Sequence, residues 1–306
     1  MDTPLKKIKE CCLIEKIAKR FKTADKSVVV SIGDDAAVVR GPKGKYLLYT
    51  TDMLIESVHF KKNEARQEVG YKAMAVSVSD IAAMGGIPRY ALVSVGLPKK
   101  NADKTGEELF RGLEKCAKKF GIAVIGGDTN RSDKLVIDVF MTGEVEEKKL
   151  VLRSGARPGD HIFVSGALGG SLKGKHLHFT PRMDASRFLV NNLHVSSMID
   201  LSDGLAIDLN RIALASRVGA VILESKIPKS PGVSKIQSAL YDGEDFELLF
   251  TLPRQEVLRL YHLTEAKKTD LKFYHIGRIT DLFQGVRIVK PDARVLDLPC
   301  RGFRHF

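Results

Sequence analysis

The chain of 306 residues has no tryptophan, 7% aromatic residues and four cysteines. Cys11 and Cys12 are adjacent, Cys116 and Cys300 stand alone, and no Cys-x-x-Cys pair occurs, so neither a zinc knuckle nor a disulfide framework is indicated. No apolar run approaches the roughly 20 residues of a membrane span, and the lysines near Met1 lead into no apolar stretch of signal-peptide length. The expectation is a cytoplasmic protein with reduced thiols and no membrane partner. A hydrophobic share of 44% with 28% charged residues excludes disordered and low-complexity classes. The length suits two domains with a sizeable core. What the chain does have is basic charge: 49 Lys+Arg against 37 Asp+Glu leave +12. That balance favours anionic partners, and because the basic residues are dispersed and aromatics sparse, nucleic acid is not among those expected.

Thr3 and Pro4 predict a helix start, with Leu5, Ile8, Cys12, Ile17 and Phe21 at helical spacing. Strand-like runs at 28–32, 36–39 and 46–51 precede a helix over about 64–84, stopped by Gly85-Gly86 and Pro88. After Lys72 that helix carries one charge, Asp80, among small side chains that permit close packing. Strands at 90–97, 122–125 and 135–145 and a helix at 104–120 complete a first domain, 1–149. The turn-rich stretch 153–160 opens a second, 150–306. Its strands are expected at 161–165, 220–223, 246–252 and 273–279, and its helices at 184–192, 204–218 and 254–262. The order is α/β in the first half and α+β in the second.

The informative feature is a set of aspartates beside Gly, Ser or Thr, read as lying in turns or at element ends. They are Gly33-Asp34-Asp35, Thr50-Thr51-Asp52, Ser79-Asp80, Gly126-Gly127-Asp128 and Asp200-Leu201-Ser202-Asp203-Gly204. Any one alone is an ordinary turn or cap. Asp80 is different, because an ionised carboxylate against an apolar helix costs several kcal/mol unless a cation compensates, roughly speaking. All-oxygen clusters without His or Cys suit Mg²⁺, and Mg²⁺ on several carboxylates goes with phosphate substrates. The familiar phosphate motifs fit poorly. Gly169–His176 departs from the P-loop pattern at His176, where a hydroxyl would bind the metal. Asp245-Phe246-Glu247 lacks the catalytic loop of protein kinases. His176 and His178 are read as a surface pair.

In order and approximate spacing, Gly33–Val38, Thr50–Leu54 with Val58–Phe60, Ser79–Gly85, Gly126–Thr129, Ile199–Leu205, Gly243–Leu249 and Gly302–Phe306 resemble the thiamine-monophosphate kinases. That family lies within the aminoimidazole-ribonucleotide synthetase-like superfamily. The resemblance runs from residue 33 to the last residue. It implies a two-domain PurM-like fold whose N-terminal sheet forms a barrel across a homodimer. It also implies ATP-dependent phosphorylation of thiamine phosphate to thiamine diphosphate, with several Mg²⁺ ions. Carried over residue by residue, Asp34, Thr50, Thr51, Asp52, Asp80, Asp128, Asp200 and Asp203 would form the metal shell. Gly127, Asp128, Arg153 and Ser202 would meet ATP, and His59, Glu244 and Phe303 the thiamine phosphate. No general base is assigned, because the acceptor is already a phosphate oxygen. Ser57 stands where the family usually has Gly, Phe110 near a position often Tyr, and Phe303 where Trp or Tyr is common; no Glu-Phe pair precedes the first helix. Two other readings stay open: an ATP-using relative of the selenophosphate- or purine-ring-synthetase type, and a non-catalytic nucleotide-binding module.

Overall fold

The computed structural model describes Leu5, residues 8–281 and residues 285–305. The first half contains α1 (Lys9–Arg20), β1 (Val28–Val30), β2 (Ala37–Arg40), β3 (Lys45–Ile55), α2 (Arg66–Ala83), β4 (Ile87–Leu97), α3 (Ala102–Phe120), β5 (Ala123–Arg131) and β6 (Val136–Glu146). Its strands form one mixed sheet in the order β1-β2-β3-β6-β4-β5, antiparallel except for β4 beside β5. The period-two alternation of a strand sorts the side chains. Leu48, Leu54, Ala91, Val93, Val95, Ile137, Val139 and Met141 join the core with α2 and α3. Tyr49, Met53, Tyr90, Leu92 and Phe140 alternate with them onto the uncovered face, where Met53 is 54% and Tyr90 51% exposed. Tyr49 and Phe140 stack there at 6.1 Å between centroids. Among the described residues this sheet stays open, with β1 and β5 as edges.

The second half contains β7 (His161–Val164), α4 (Lys175–His178), α5 (Met183–Asn192), β8 (Ser197–Asp200), α6 (Leu205–Ser216), β9 (Gly219–Leu223), α7 (Ile236–Tyr241), β10 (Leu248–Leu252), α8 (Arg254–Ala266), β11 (Tyr274–Thr280), β12 (Val286–Val289) and β13 (Val295–Asp297). Its sheet runs β13-β12-β9-β11-β7-β10-β8, with β9 and β12 its parallel pair. Helices cover both faces: α6 and α7 pack on one, α5 and α8 on the other. Burial on both sides explains why β7 and β10 read as continuous apolar runs. The molecule is thus a two-domain α/β fold with two mixed sheets. No helix among the described residues is long and apolar enough to cross a membrane.

Several expectations shift. β3 and β5 extend past the apolar runs that announced them, because β3 pairs with β6 as far as Ile55 and β5 with β4 as far as Arg131. Asp52 and Asp128 therefore lie within strands, not after them. The helix start at Thr3 and Pro4 falls outside the described residues; α1 begins at Lys9 and buries none of its residues. Leu5 and Ile8, just before it, are the ones buried, against Ile207. Ser57 adopts φ +68°, a left-handed conformation that favours glycine.

Candidate functional site

The two halves meet along α2. From its first-sheet side, Thr50 and Asp52 face this helix because they are two residues apart on β3. Thr50 Oγ1 donates to Asp80 Oδ2 at 2.5 Å, and Ser77 Oγ donates to Asp52 Oδ2 at 2.8 Å. From the second half, Asp200 ends β8 and accepts Ser79 Oγ at 2.6 Å. Carboxylate oxygens of Asp35, Asp80 and Asp200 come within 4.8 Å of one another, Asp35 and Asp200 buried and Asp80 half-buried. Burial, then the charges of Asp52, Asp200 and Asp35, pushes Asp80 well above the ordinary carboxylate range. Burial, then Asp35, does the same to Asp200. Asp52 rises to about 6, chiefly through burial. Asp52, Asp80 and Asp200 have hydroxyls as hydrogen-bond partners, so most of the cluster's negative charge is not matched by a basic side chain.

Arg153 closes one side of this cluster. Its Nη2 donates to Asp35 Oδ1 at 2.7 Å, and its backbone N–H donates to the Asp34 carboxylate at 3.1 and 3.3 Å. Even so, burial and then the neighbouring Asp35 raise Asp34 to about 7. Asp203 pairs with Arg211 at 2.5 Å, and Arg211 also holds the buried Asp208 at 2.6 Å. Burial raises Asp208 to about 7 as well. These shifts have a sign for stability. Carboxylates with folded pKa values above their unfolded ones bind extra protons in the native state, so metal-free stability falls as pH rises from about 4 to about 7. In EDTA the melting temperature is expected to be higher at pH 5 than at pH 7.5. A melting temperature that climbs over this interval would contradict the assignment.

Beside the cluster lies a cavity of about 420 Å³ lined in part by Asp52, His59, Lys72, Asp203, Glu244 and Phe303. His59 Nδ1 accepts the Ile55 N–H at 3.0 Å, and its ring lies 6.1 Å from Phe303 and 5.2 Å from His305, centroid to centroid. Burial, then His305, lowers the His59 pKa. Glu244 sits at φ +53° on a loop whose N–H is tied to the Ser202 carbonyl at 2.7 Å. Phe303 donates its N–H to the Asp203 carbonyl at 3.1 Å, which carries the C-terminal aromatic to the cavity.

The structure thus brings Thr50, Asp52, Asp80 and Asp200 together, with Asp34 and Arg153 at one side and Ser202, Asp203, His59, Glu244 and Phe303 around the cavity. Thr51 points to the opposite face of β3, donating to Asp138 Oδ1 at 2.9 Å, although it reaches the cavity rim. Asp128 shares that open face: its register runs through Ser94 to Asp138, and its carboxylate accepts Asn130 Nδ2 at 2.5 Å. Gly127 precedes it on the exposed edge strand. Three residues were missed. Asp35, not Asp34, joins Asp80 and Asp200; its place next to Asp34 was visible, its orientation was not. Lys72 was noted only as a charge on α2, yet it is fully buried. His176, read as half of a surface pair, is buried at 2.9 Å from Lys72, while the side chain of His178 is 60% exposed.

Comparison with known proteins gives the family. The model of the AIR synthase related protein N-terminal domain matches residues 33–145, and that of the C-terminal domain matches residues 157–290. A thiamine-monophosphate kinase of Bacillus subtilis is 36% identical over 92% of this chain and 94% of its own. One from Aquifex aeolicus is 36% identical over 99% of each chain. The chain belongs to the thiamine-monophosphate kinase family. A solved structure described as AaThiL complexed with AMPPCP and TMP superposes with a TM-score of 0.82 at 34% identity, over 96% of each chain. In this thiamine-monophosphate kinase family member, the near P-loop at Gly169–His176 has a different use. Gly169 N–H and Ser171 Oγ are spent on the buried Asp245 carboxylate, and Lys175 lies 3.6 Å from the same group.

Proposed function

We propose that this chain transfers the γ-phosphoryl group of ATP to the phosphate of thiamine phosphate, giving ADP and thiamine diphosphate. The observation that carries the reading is the buried cluster of Asp35, Asp80 and Asp200 directly beside the cavity of His59, Glu244 and Phe303. Its donors are all oxygen, and Arg153, paired with Asp35, offsets one charge of several, so the residues fit a hard divalent cation such as Mg²⁺. Asp35, Asp52, Asp80 and Asp200, with Thr50, are the groups that would hold it, and Asp34 and Asp203 flank them. When bound, the cation supplies charge neutralisation between two anionic substrates.

The chain's own residues do the positioning. A phosphate oxygen of thiamine phosphate attacks in line, its bond to the γ-phosphorus forms as the bond to the ADP oxygen breaks, and no general base is needed. Arg153 and Ser202 lie where polyphosphate would cross between the halves. The cavity of about 620 Å³ beneath α3, lined by Phe110, Leu113, Val93 and Val124, suits a planar heterocycle such as adenine and shares β5 with Gly127 and Asp128. Phe303 and His59 present rings to the cationic thiazolium of the substrate. The test is ADP release with thiamine phosphate, with thiamine or with no acceptor, each in Mg²⁺ and in EDTA. Mg²⁺-dependent ADP release that requires thiamine phosphate is expected; equal release without acceptor would reject the reading.

The remaining expectations join this proposal. We place the domain boundary at 149/150, which falls between the two matched segments, and the protein in the cytoplasm. The open face bearing Met53, Tyr90, Leu92 and Phe140 supports a homodimer in which two such sheets close into a barrel. Light scattering is expected to give twice the 33.8 kDa chain mass, and Leu92→Asp, which puts a charge on that face, is expected to give the monomer. A monomeric unaltered protein would refute the dimer.

A further inference from the structure

Lys72 is among the largest fully buried side chains of the described residues, and it lines the cavity proposed for thiamine phosphate. Its Nζ has three partners: the His59 carbonyl at 2.7 Å, Glu244 Oε1 at 2.6 Å and His176 Nδ1 at 2.9 Å. An ammonium has three protons to donate and no lone pair. All three are used only if His176 Nδ1 is unprotonated and accepts. The imidazole proton then sits on Nε2, which points toward Glu64 at 3.9 Å.

This fixes what Glu244 can do. In that tautomer His176 Nδ1, 3.1 Å from Glu244 Oε2, has no proton to give it. Glu244 Oε2 is accordingly a buried oxygen without a hydrogen-bond partner, on a side chain that lines the cavity. A buried acceptor left this way is costly unless a ligand completes it. The same ammonium holds the His59 carbonyl, while the Ile55 N–H holds the His59 ring. One lysine therefore holds the side chain of Glu244 and the backbone of His59, two of the three residues expected to meet the substrate.

We propose that Lys72 is a positioning residue for thiamine phosphate: it keeps Glu244 a carboxylate and leaves Oε2 as an unshared acceptor for an N–H donor of the substrate's aminopyrimidine. This rests on the functional reading above. Lys72 acts through Glu244 and His59, and its hydrogen bonds do not extend to Asp35, Asp80 or Asp200. Because it also joins α2 to the second half, the test must separate positioning from stability.

A double-mutant cycle does this, with Lys72→Met, Glu244→Gln and the two combined. For each, the melting temperature, the KM for thiamine phosphate, the KM for ATP and calorimetric binding of thiamine phosphate are measured. Lys72→Met is expected to lower the melting temperature by stranding the Glu244 charge. It is also expected to raise the KM for thiamine phosphate by about tenfold or more, leaving that for ATP within about twofold. The combined variant removes both charges, so its melting temperature recovers while its KM for thiamine phosphate stays high. Glu244→Gln keeps an oxygen for Lys72 and supplies a folded variant with the same KM defect. A Lys72→Met protein with a lowered melting temperature but an unchanged KM for thiamine phosphate would reduce Lys72 to a structural cross-link and overturn the proposal. Equal rises in both KM values would overturn it too. Failure of the unaltered protein to bind thiamine phosphate would overturn the functional reading itself, a result distinct from the other two.

Discussion

Asp80→Asn is expected to reduce phosphoryl transfer on the order of 10³-fold and, in EDTA, to raise the melting temperature. Both follow from one arrangement. Asp80 lies on α2 with the Asp52, Asp200 and Asp35 charges around it, and burial and those charges push its pKa well above the ordinary range. Asn has the same shape and keeps an oxygen to accept Thr50 Oγ1, so packing is retained. It removes the charge, however, and with it the repulsion that destabilises the metal-free fold. The same charge is what would hold a cation against the transferring phosphate, where loss of one preorganised electrostatic contact costs on the order of 10²–10³ in rate. Steady-state ADP release and thermal melts in EDTA and in Mg²⁺ check the two halves. A variant that is stabilised but retains turnover within about tenfold would remove Asp80 from the reaction.

Gly112→Ala is expected to destabilise the protein by about 3 kcal/mol or more. Helices α2 and α3 cross at a pair of glycines. A methyl group on Gly112 would lie 1.8 Å from the Gln67 carbonyl oxygen, and one on Gly70 would lie 2.0 Å from that of Leu109. Those distances are about half an ordinary van der Waals contact, and both obstacles are backbone, which cannot rotate away. The gain of about 1 kcal/mol in helix propensity from Gly to Ala is too small to offset this. Gly106, on the same helix, is the control: its nearest neighbour to an added methyl is Leu97 Cδ1 at 3.5 Å, an ordinary contact. Gly106→Ala is expected to leave stability unchanged or improve it by up to about 1 kcal/mol. Denaturant midpoints measure both. Equal midpoints for the two variants would mean that the helices are not in the close contact described. Because α2 carries Lys72, Ser77, Ser79 and Asp80, the contact also sets where the site's side chains stand.

Residue chemistry and local period were enough to place α2, α3, α5, α6 and the strands around β7 and β10 close to where they occur. A buried stripe or a doubly covered strand leaves its mark on the very residues that form it. The aspartates around Asp34, Asp52, Asp80 and Asp200 likewise point to a phosphate-handling protein from the sequence, while Glu244 stands out only through the family resemblance. Strand ends were legible only where they coincided with apolar runs, since the polar continuation of β3 through Asp52 is stabilised by β6, a partner far away in the chain. Tertiary structure decided the rest. Which of Asp34 and Asp35 turns inward depends on Arg153 arriving from the second half. Thr50 and Thr51 are chemically identical neighbours that the pleat of β3 sends to opposite faces. Lys72, His176 and Glu244 meet across 104 and 172 residues of sequence. A contact of that kind leaves no periodic trace near either partner, because the energy that buries a lysine comes from the charges packed around it and not from the residues beside it in the chain.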